Sequence, residues 1–219
     1  MRKTLAQIQY YPTPDELYHQ ITTGKGWPYK DNQDFYRARD QALASILYLG
    51  DFRISEVLPL TKEVNFKPEK NYLLCYAVKV GKRKAGKIMY RDAKLPLEGQ
   101  RAKLTGLIQK YLDLLGSKDR LFPWSLKERT FISKTETYKT RDGTVKQRKS
   151  VQLVGTHRAW QIIHALLPHA TQHWLRAYGY NYDYDHMQHD VLAVSDKTKA
   201  DPRSIQPYIR RRYEQYPVS

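Results

Sequence analysis

Four residues that together can cleave a phosphodiester occur in this chain in an informative order. Arg53 lies in an Arg-Ile-Ser-Glu segment, His173 and Arg176 form the ends of a His-Trp-Leu-Arg tetrapeptide, and Tyr208 follows Arg176 by 32 residues. Arginine binds phosphate oxygens through a planar fork of donors, histidine donates hydrogen bonds or transfers protons, and a tyrosine hydroxyl can act as a nucleophile. The set predicts a protein that attacks a phosphodiester with its own side chain.

The charge of the chain predicts a polyanionic partner. The 219 residues include 38 Lys and Arg against 22 Asp and Glu, a formal net charge of +16. Because the basic residues are spread along the chain, nucleic acid is the expected partner. No apolar run approaches the ~20 residues that span a bilayer, so no membrane association is predicted. The single cysteine, Cys75, fits a reducing interior and a cytoplasmic location.

Apolar spacing predicts the elements that must position these residues. Residues 1–30 form a lead-in with one short helix at 15–21, and residues 31–219 form one domain. Helices are predicted at 35–49, ended by Gly50, at 54–58, at 101–115, ended by Gly116, around 160–167, around 173–178, and from Asp201-Pro202 onwards. Strands at 72–80 and 88–90 predict a hairpin with a basic tip. Residues 134–149 predict either a second hairpin, turning at Asp142-Gly143, or a mobile basic loop.

With these elements in order, the chain resembles the catalytic domain of the tyrosine recombinases (phage-integrase family) over residues 35–215. The resemblance rests on Asp51-Phe52-Arg53-Ile54-Ser55-Glu56-Val57, on the basic hairpin followed by Lys94-Leu95-Pro96-Leu97, on the His-x-x-Arg tetrapeptide, and on Tyr208. It implies an α+β, mainly helical fold, a helical bundle with a small antiparallel sheet. The chain departs from the family at Ala177, where a histidine is usual, and at Lys199, where a histidine or tryptophan is usual.

The resemblance also implies roles for individual residues. Arg53 and Arg176 would hold the scissile phosphate, His173 would hydrogen-bond it or accept the tyrosine proton, and Tyr208 would form a 3′-phosphotyrosyl bond. A hairpin lysine would protonate the leaving oxygen: Lys82 is the first choice, with Lys84 and Lys87 open. Lys199 would donate to the phosphate, and Glu56 would support Arg53. Additional phosphate contacts are expected from four residues: Lys84, Lys87, Arg210 and Arg211.

The implied activity is that of a site-specific recombinase, an integrase of a virus or mobile element acting inside a prokaryotic or host cell. It needs double-stranded DNA as partner and no metal or other cofactor. The short segment after Tyr208 predicts a protein that is monomeric when free and self-associates on DNA.

Two other functions stay open at this point. One is a DNA-binding module of the same fold with weakened catalysis, suggested by Ala177 and Lys199. The other is a type IB topoisomerase-like enzyme, which relaxes DNA with the same chemistry. Tyr213 and Tyr216 remain alternative nucleophiles. His186 and His189 have metal-ligand spacing, but residues 183–190 are interpreted as a tyrosine-rich polar loop.

Overall fold

A computed structural model describes most of the chain: residues 11–30, 32–82, 88–116, 121–123, 134–140, 142–150, 154–170 and 172–215. The helices within them are α1 (Pro14–Thr23), α2 (Gln33–Leu49), α3 (Ile54–Val57), α4 (Lys62–Asn65), α5 (Ala102–Asp113), α6 (Thr156–Leu166), α7 (Gln172–His186), α8 (Val191–Thr198) and α9 (Pro202–Gln215). The strands are β1 (Phe66–Pro68), β2 (Tyr72–Lys82), β3 (Ile88–Pro96), β4 (Lys134–Lys139) and β5 (Val145–Ser150).

The central element is α2, which is buried along nearly its whole length. It packs against α5, α6 and α7, and its apolar residues form the middle of the main hydrophobic core. The Gly50 backbone N–H donates to the carbonyl oxygen of Ile46 at 3.0 Å, so the helix ends where the sequence predicted. The chain then turns directly into α3, and the predicted Arg53 lies in that turn.

A three-stranded antiparallel sheet in the order β1-β2-β3 lies beside these helices. The predicted first hairpin is confirmed, with Cys75 opposite Ala93 and Lys82 opposite Ile88. β2 bulges between Cys75 and Val78, where Ala77 has a positive φ of 53° and its N–H donates to Asp92 Oδ1 at 2.8 Å. The bulge changes the direction of the strand before it reaches the hairpin tip.

β4 and β5 form a separate antiparallel hairpin, so the hairpin interpretation of residues 134–149 is confirmed. Lys134 lies opposite Ser150 and Lys139 lies opposite Val145. Gly143 has a φ of +81°, which suits glycine. The Asp142 carboxylate accepts hydrogen bonds from the Thr144 N–H at 3.1 Å and from the Thr140 hydroxyl, which closes the turn.

The short helix predicted in the lead-in, α1, packs on the main core. Leu17 and Ile21 are fully buried in the cluster that also contains α2 and α5. At the start of this helix, the Thr13 hydroxyl accepts from the Glu16 N–H and the Glu16 carboxylate accepts from the Thr13 N–H. This capping box fixes the residue at which α1 begins.

The elements around the candidate site differ from prediction at α7 and α8, and elsewhere α4 and β1 were not predicted. α7 continues to His186, so residues 183–186 are helical and the predicted polar loop there is wrong. The helix persists because Tyr180, Asn181 and Asp183 are buried against other elements. α8 was not predicted, since only Val194 and Thr198 of its residues are buried. α9 begins as predicted, with the Arg203 N–H donating to Asp201 Oδ1 at 2.8 Å.

Among the described helices, none is both long enough and apolar enough to cross a membrane.

Candidate functional site

The turn between α2 and α3 holds Arg53 in a fixed orientation. Its backbone N–H donates to Glu56 Oε2 at 2.7 Å, and its Nη1 donates to Glu56 Oε1 at 3.1 Å. Glu56 is buried, whereas the Arg53 side chain is 55% exposed. The carboxylate therefore orients the guanidinium while leaving donors available to an anion from solvent.

Arg91 of β3 lies buried behind this turn. Its Nη2 donates to the Gly50 carbonyl oxygen, and its guanidinium carbon lies 4.2 Å from the centroid of the Phe52 ring. Burial lowers the pKa of Arg91 from its ordinary value. Asp51 and Glu56 oppose this effect, and nearby Arg176 adds to it. Arg91 therefore joins β3 to the turn between α2 and α3, and it places a positive charge next to that turn.

A buried cluster of charges joins the same turn to α7 and α8. Asp183 of α7 accepts from Arg101 Nη1 at 2.8 Å and from Lys197 Nζ of α8. Asp51 lies beside it, 1% exposed. Burial, and secondarily the charge of Asp183, raise the pKa of Asp51 to about 7. Burial also opposes ionisation of Asp183, but Arg101 and Lys197 hold its pKa below the ordinary value. Asp183 is thus ionised while Asp51 keeps its proton up to about pH 7.

Replacing Asp51 by Asn is expected to remove the fall in the free energy of unfolding that the natural protein shows as pH rises. An unfolded aspartate releases its proton near ~3.9, whereas folded Asp51 retains it to about 7. The free energy of unfolding of the natural protein should therefore fall as pH rises between these values. Asn keeps the shape and tolerates the φ of 50° at this position. The stability of Asp51→Asn relative to the natural protein should rise by up to roughly 4 kcal/mol from pH 4 to pH 8.

Urea unfolding at several pH values measures this difference. The matched control is Asp196→Asn, which removes the same charge from an exposed position on α8. If Asp51→Asn and Asp196→Asn track the natural protein in parallel across this range, Asp51 does not retain its proton.

Gly179 allows α7 to approach the turn. A Cβ atom added there would lie 1.9 Å from Asp51 Oδ1 and 2.6 Å from the Tyr48 carbonyl oxygen. Such separations do not occur between non-bonded atoms in folded proteins, so only glycine fits without movement of α7 or the turn. The relative position of the two predicted arginines depends on this contact, because one follows Asp51 and the other precedes Gly179.

The second predicted arginine lies on α7. Arg176 is 7% exposed, and its Nε donates to the Tyr180 hydroxyl oxygen at 2.6 Å. The guanidinium carbon lies 5.0 Å from the centroid of the Tyr180 ring. His173 is exposed one turn earlier on the same helix. The spacing of three residues therefore places His173 and Arg176 on neighbouring turns, as the sequence predicted.

Tyr208 of α9 packs against the same tyrosine. The Tyr180 and Tyr208 rings meet edge to face, with centroids 5.5 Å apart and an interplanar angle of 69°. Tyr208 is half-buried and contacts both the main core and the smaller cluster between α7, α8 and α9. Its carbonyl oxygen accepts from Asn181 Nδ2 at 3.4 Å. Arg176 and Tyr208, 32 residues apart in sequence, thus both contact one buried side chain.

The two departures from the family pattern lie at different depths. Ala177 is fully buried in the main core, so this position offers no hydrogen-bond donor from its side chain. Lys199 ends α8 in a left-handed conformation with a φ of 52° and is exposed. Among the described side chains, no hydrogen bond or ion pair joins Lys199 to Arg176 or Tyr208.

The predicted basic contacts fall largely outside what the structure describes. Lys82 is the last residue of β2, but its side chain is not among those described. Lys84 and Lys87 lie outside the described residues. Arg210 and Arg211 belong to α9, again with side chains outside the described set. Their DNA contacts stay predictions.

His186 and His189, which have metal-ligand spacing, contact different residues. His186 stacks on Tyr182 with centroids 3.9 Å apart, and its Nδ1 lies 2.7 Å from the Tyr182 carbonyl oxygen. His189 Nε2 lies 3.9 Å from Asp185 Oδ1. In the part of the chain that is described, no three His, Cys, Asp or Glu side chains gather in a metal-binding arrangement.

The sequence analysis did not identify Tyr180, Arg91 and Asp51 as residues of this site. The first two could have been predicted from their spacing. Tyr180 stands four positions after Arg176, the spacing at which helix side chains meet. Arg91 follows the alternation of Ala93 and Leu95, so a charge was predictable on the inward face of β3. No comparable signal marks Asp51, because its partners come from distant elements.

Comparison with solved structures identifies the fold. The chain is similar to two crystal structures of the XerH site-specific recombinase, one bound to its difH substrate before cleavage and one bound to a palindromic difH substrate after cleavage. The TM-scores are 0.57 and 0.56, with 16% sequence identity in both, over 94% of this chain. The chain spans about half of those proteins, 51% of each. The predicted tyrosine-recombinase fold, mainly helical with a small antiparallel sheet, is therefore confirmed.

Comparison by sequence gives no match, either to a protein-family model or to a curated protein. At 16% identity the structural similarity shows the fold alone, and the roles of the site residues rest on their geometry.

Proposed function

We propose that this protein cleaves and rejoins double-stranded DNA, with Tyr208 as nucleophile and a 3′-phosphotyrosyl intermediate. One observation carries the proposal: Arg176 and Tyr208 both contact Tyr180, within a fold shared with a site-specific DNA recombinase. The net charge of +16 supports a DNA partner. Self-association on DNA and the origin in a virus or mobile element are parts of the same proposal.

The chemistry follows from the two arginines. Arg53 and Arg176 bind the non-bridging oxygens of the scissile phosphate and neutralise the charge that grows in the pentacoordinate transition state. The Tyr208 oxygen attacks phosphorus, the bond to the 5′ oxygen breaks, and the tyrosine remains linked to the 3′ phosphate. His173 accepts the phenolic proton or hydrogen-bonds the phosphate. The free 5′ hydroxyl then reverses the reaction, on the same or another strand.

The leaving 5′ oxygen needs a proton donor. A lysine at the tip of the first hairpin supplies it in this proposal, with Lys82 the first choice and Lys84 and Lys87 as alternatives. Lys199 contributes a further hydrogen bond to the phosphate. Glu56 keeps Arg53 oriented through its two hydrogen bonds.

A second candidate is a DNA-binding module of this fold that does not cleave. The buried Ala177 favours it, because that position adds no donor to the phosphate site. Such a module would bind DNA with steep salt dependence, because it releases counterions from the phosphates, and would never form a covalent adduct.

The separating experiment is a trap for the covalent intermediate. The protein is incubated with end-labelled duplexes of randomised sequence that carry a nick, so that cleavage near the nick releases a short strand that diffuses away. SDS quenching should reveal a labelled band at the mass of protein plus DNA. Tyr208→Phe, which keeps the aromatic ring, should abolish the band while leaving salt-dependent DNA affinity unchanged.

Sequencing of the trapped DNA then identifies the preferred site. Absence of a band with the natural protein, with salt-dependent DNA affinity retained, would contradict the proposal and support the non-cleaving module. Once a site is known, relaxation of supercoiled DNA without strand exchange would identify the topoisomerase-like alternative.

A further inference from the structure

Tyr180 has properties that exclude it as a nucleophile. Its side chain is 1% exposed, and burial raises its pKa to about 12. A phenol that stays protonated and is closed off from solvent cannot attack a DNA phosphate. Its hydroxyl oxygen instead accepts a hydrogen bond from Arg176 Nε at 2.6 Å.

That hydrogen bond restricts how Arg176 can hold a phosphate. A guanidinium offers two bidentate faces, one formed by Nε and an Nη and one formed by Nη1 and Nη2. Because the Tyr180 hydroxyl occupies Nε, the end-on pair of Nη1 and Nη2 remains for the phosphate. The Tyr180 ring lies alongside the guanidinium, with 5.0 Å between the guanidinium carbon and the ring centroid, and this limits rotation of the group.

Tyr180 is also in contact with the proposed nucleophile, Tyr208. Its ring meets the Tyr208 ring edge to face at 5.5 Å, and three aliphatic side chains, Val194, Ile205 and Ile209, complete the buried cluster around it. One side chain therefore spans from the phosphate-binding arginine to the attacking tyrosine.

We infer that Tyr180 is a positioning residue that selects the end-on face of Arg176 and sets the distance between that guanidinium and Tyr208. The inference rests on the proposed function, since it assigns Tyr180 to the same reaction. A phenylalanine would fill the same buried volume, so the hydroxyl is explained by its bond to Arg176.

The test removes only the hydroxyl, in Tyr180→Phe. On a nicked duplex carrying the site recovered by trapping, single-turnover adduct formation should slow roughly 10- to 100-fold, the effect of losing a hydrogen bond to a charged group. Affinity for the duplex should stay close to that of the natural protein, because the ring contacts remain. The Tm should fall by a few degrees, because the buried Arg176 Nε loses its acceptor.

Tyr48→Phe is the matched control. Tyr48 is equally buried and also lies beside an arginine, with the Arg101 guanidinium carbon 4.6 Å from its ring centroid. Among the described hydrogen bonds and ring contacts, none joins Tyr48 to Arg176, so loss of the Tyr48 hydroxyl should leave the rate of adduct formation unchanged.

A substrate with a neutral methylphosphonate at the scissile position separates positioning from a general structural role. Without a phosphate charge to neutralise, the orientation of Arg176 matters less, so the defect of Tyr180→Phe should shrink at least several-fold. A defect of equal size on both substrates would overturn the inference.

The remaining outcomes distinguish the inference from the proposed function. If the natural protein forms the adduct and Tyr180→Phe forms it equally fast, Tyr180 does not position Arg176 and the proposed function stands. If the natural protein forms no adduct, both the proposed function and the inference fail.

Discussion

Gly179→Ala, which adds a single methyl group, is expected to destabilise the protein by about 3 kcal/mol and to abolish adduct formation. The added Cβ would lie 1.9 Å from Asp51 Oδ1 and 2.6 Å from the Tyr48 carbonyl oxygen. Tyr48 presents backbone there, and Asp51 is buried against Asp183, so neither atom can give way easily. α7 must move away from the turn, and Arg176 moves with it.

Gly106→Ala is the control for the helix propensity of the new residue. Gly106 is exposed on α5, and a Cβ there meets nothing within 4 Å. Alanine should stabilise α5 by up to about 1 kcal/mol. Urea unfolding of both variants, together with the adduct assay, measures the contrast. A Gly179→Ala protein as stable and active as the natural one would contradict the described packing of α7 on the turn.

Arg176→Ala is expected to lower the rate of adduct formation roughly 10²- to 10³-fold. The substitution removes the buried fork of donors that, in the proposed function, binds the phosphate as its charge develops, and it leaves the Tyr180 hydroxyl without its donor. Duplex affinity should fall much less, since many exposed basic residues share the contacts to the DNA backbone. Single-turnover kinetics and a binding titration at fixed salt separate the two effects.

Arg203→Ala removes the same charge from an exposed position on α9, five residues before Tyr208. It should alter the adduct rate little and the salt dependence of binding slightly. Equal losses of rate in the Arg176 and Arg203 variants would mean that Arg176 contributes only general positive charge.

The helices of the main core were predictable because each buries an apolar stripe. α2 and α5 repeat large apolar residues at helical spacing, and glycines follow both helices. α5 nevertheless ends at Asp113, ahead of Gly116: the Leu114 and Leu115 N–H groups donate three residues back, to Tyr111 and Leu112. Lys62 Nζ also donates to the carbonyl oxygens of Leu112 and Leu115, at 2.6 and 2.8 Å. No pattern within residues 101–115 indicates a lysine from another element.

The end of α7 and the whole of α8 were not predictable in the same way. α7 buries Asn181 and Asp183, polar residues whose partners include the N-cap residue of α5 and residues of α8 and α9. The spacing of apolar residues predicts helices that bury an apolar face. It does not predict a helix face that is buried through hydrogen bonds and ion pairs. The charged cluster around Asp51 stayed hidden for the same reason.

For the candidate site, the sequence analysis proposed Arg53, His173, Arg176 and Tyr208. The structure adds Tyr180, which contacts both Arg176 and Tyr208. The His-x-x-Arg spacing was sufficient to place His173 and Arg176 on one helix. It did not predict that Tyr180 joins Arg176 to Tyr208, since that contact depends on how α9 packs against α7.

The most direct test of the central claim is to identify the tyrosine that carries the DNA. The trapped adduct is digested with nuclease and trypsin, and the modified peptide is identified by mass spectrometry. Tryptic cleavage after Arg203 and Arg210 yields Ser-Ile-Gln-Pro-Tyr-Ile-Arg, in which Tyr208 is the single tyrosine. Tyr213 and Tyr216 fall in a later peptide, after Arg212.

The proposed function predicts a nucleotide remnant on the peptide that contains Tyr208, attached through a 3′ phosphate. A remnant on the peptide with Tyr213 and Tyr216, or attachment through a 5′ phosphate, would contradict the account.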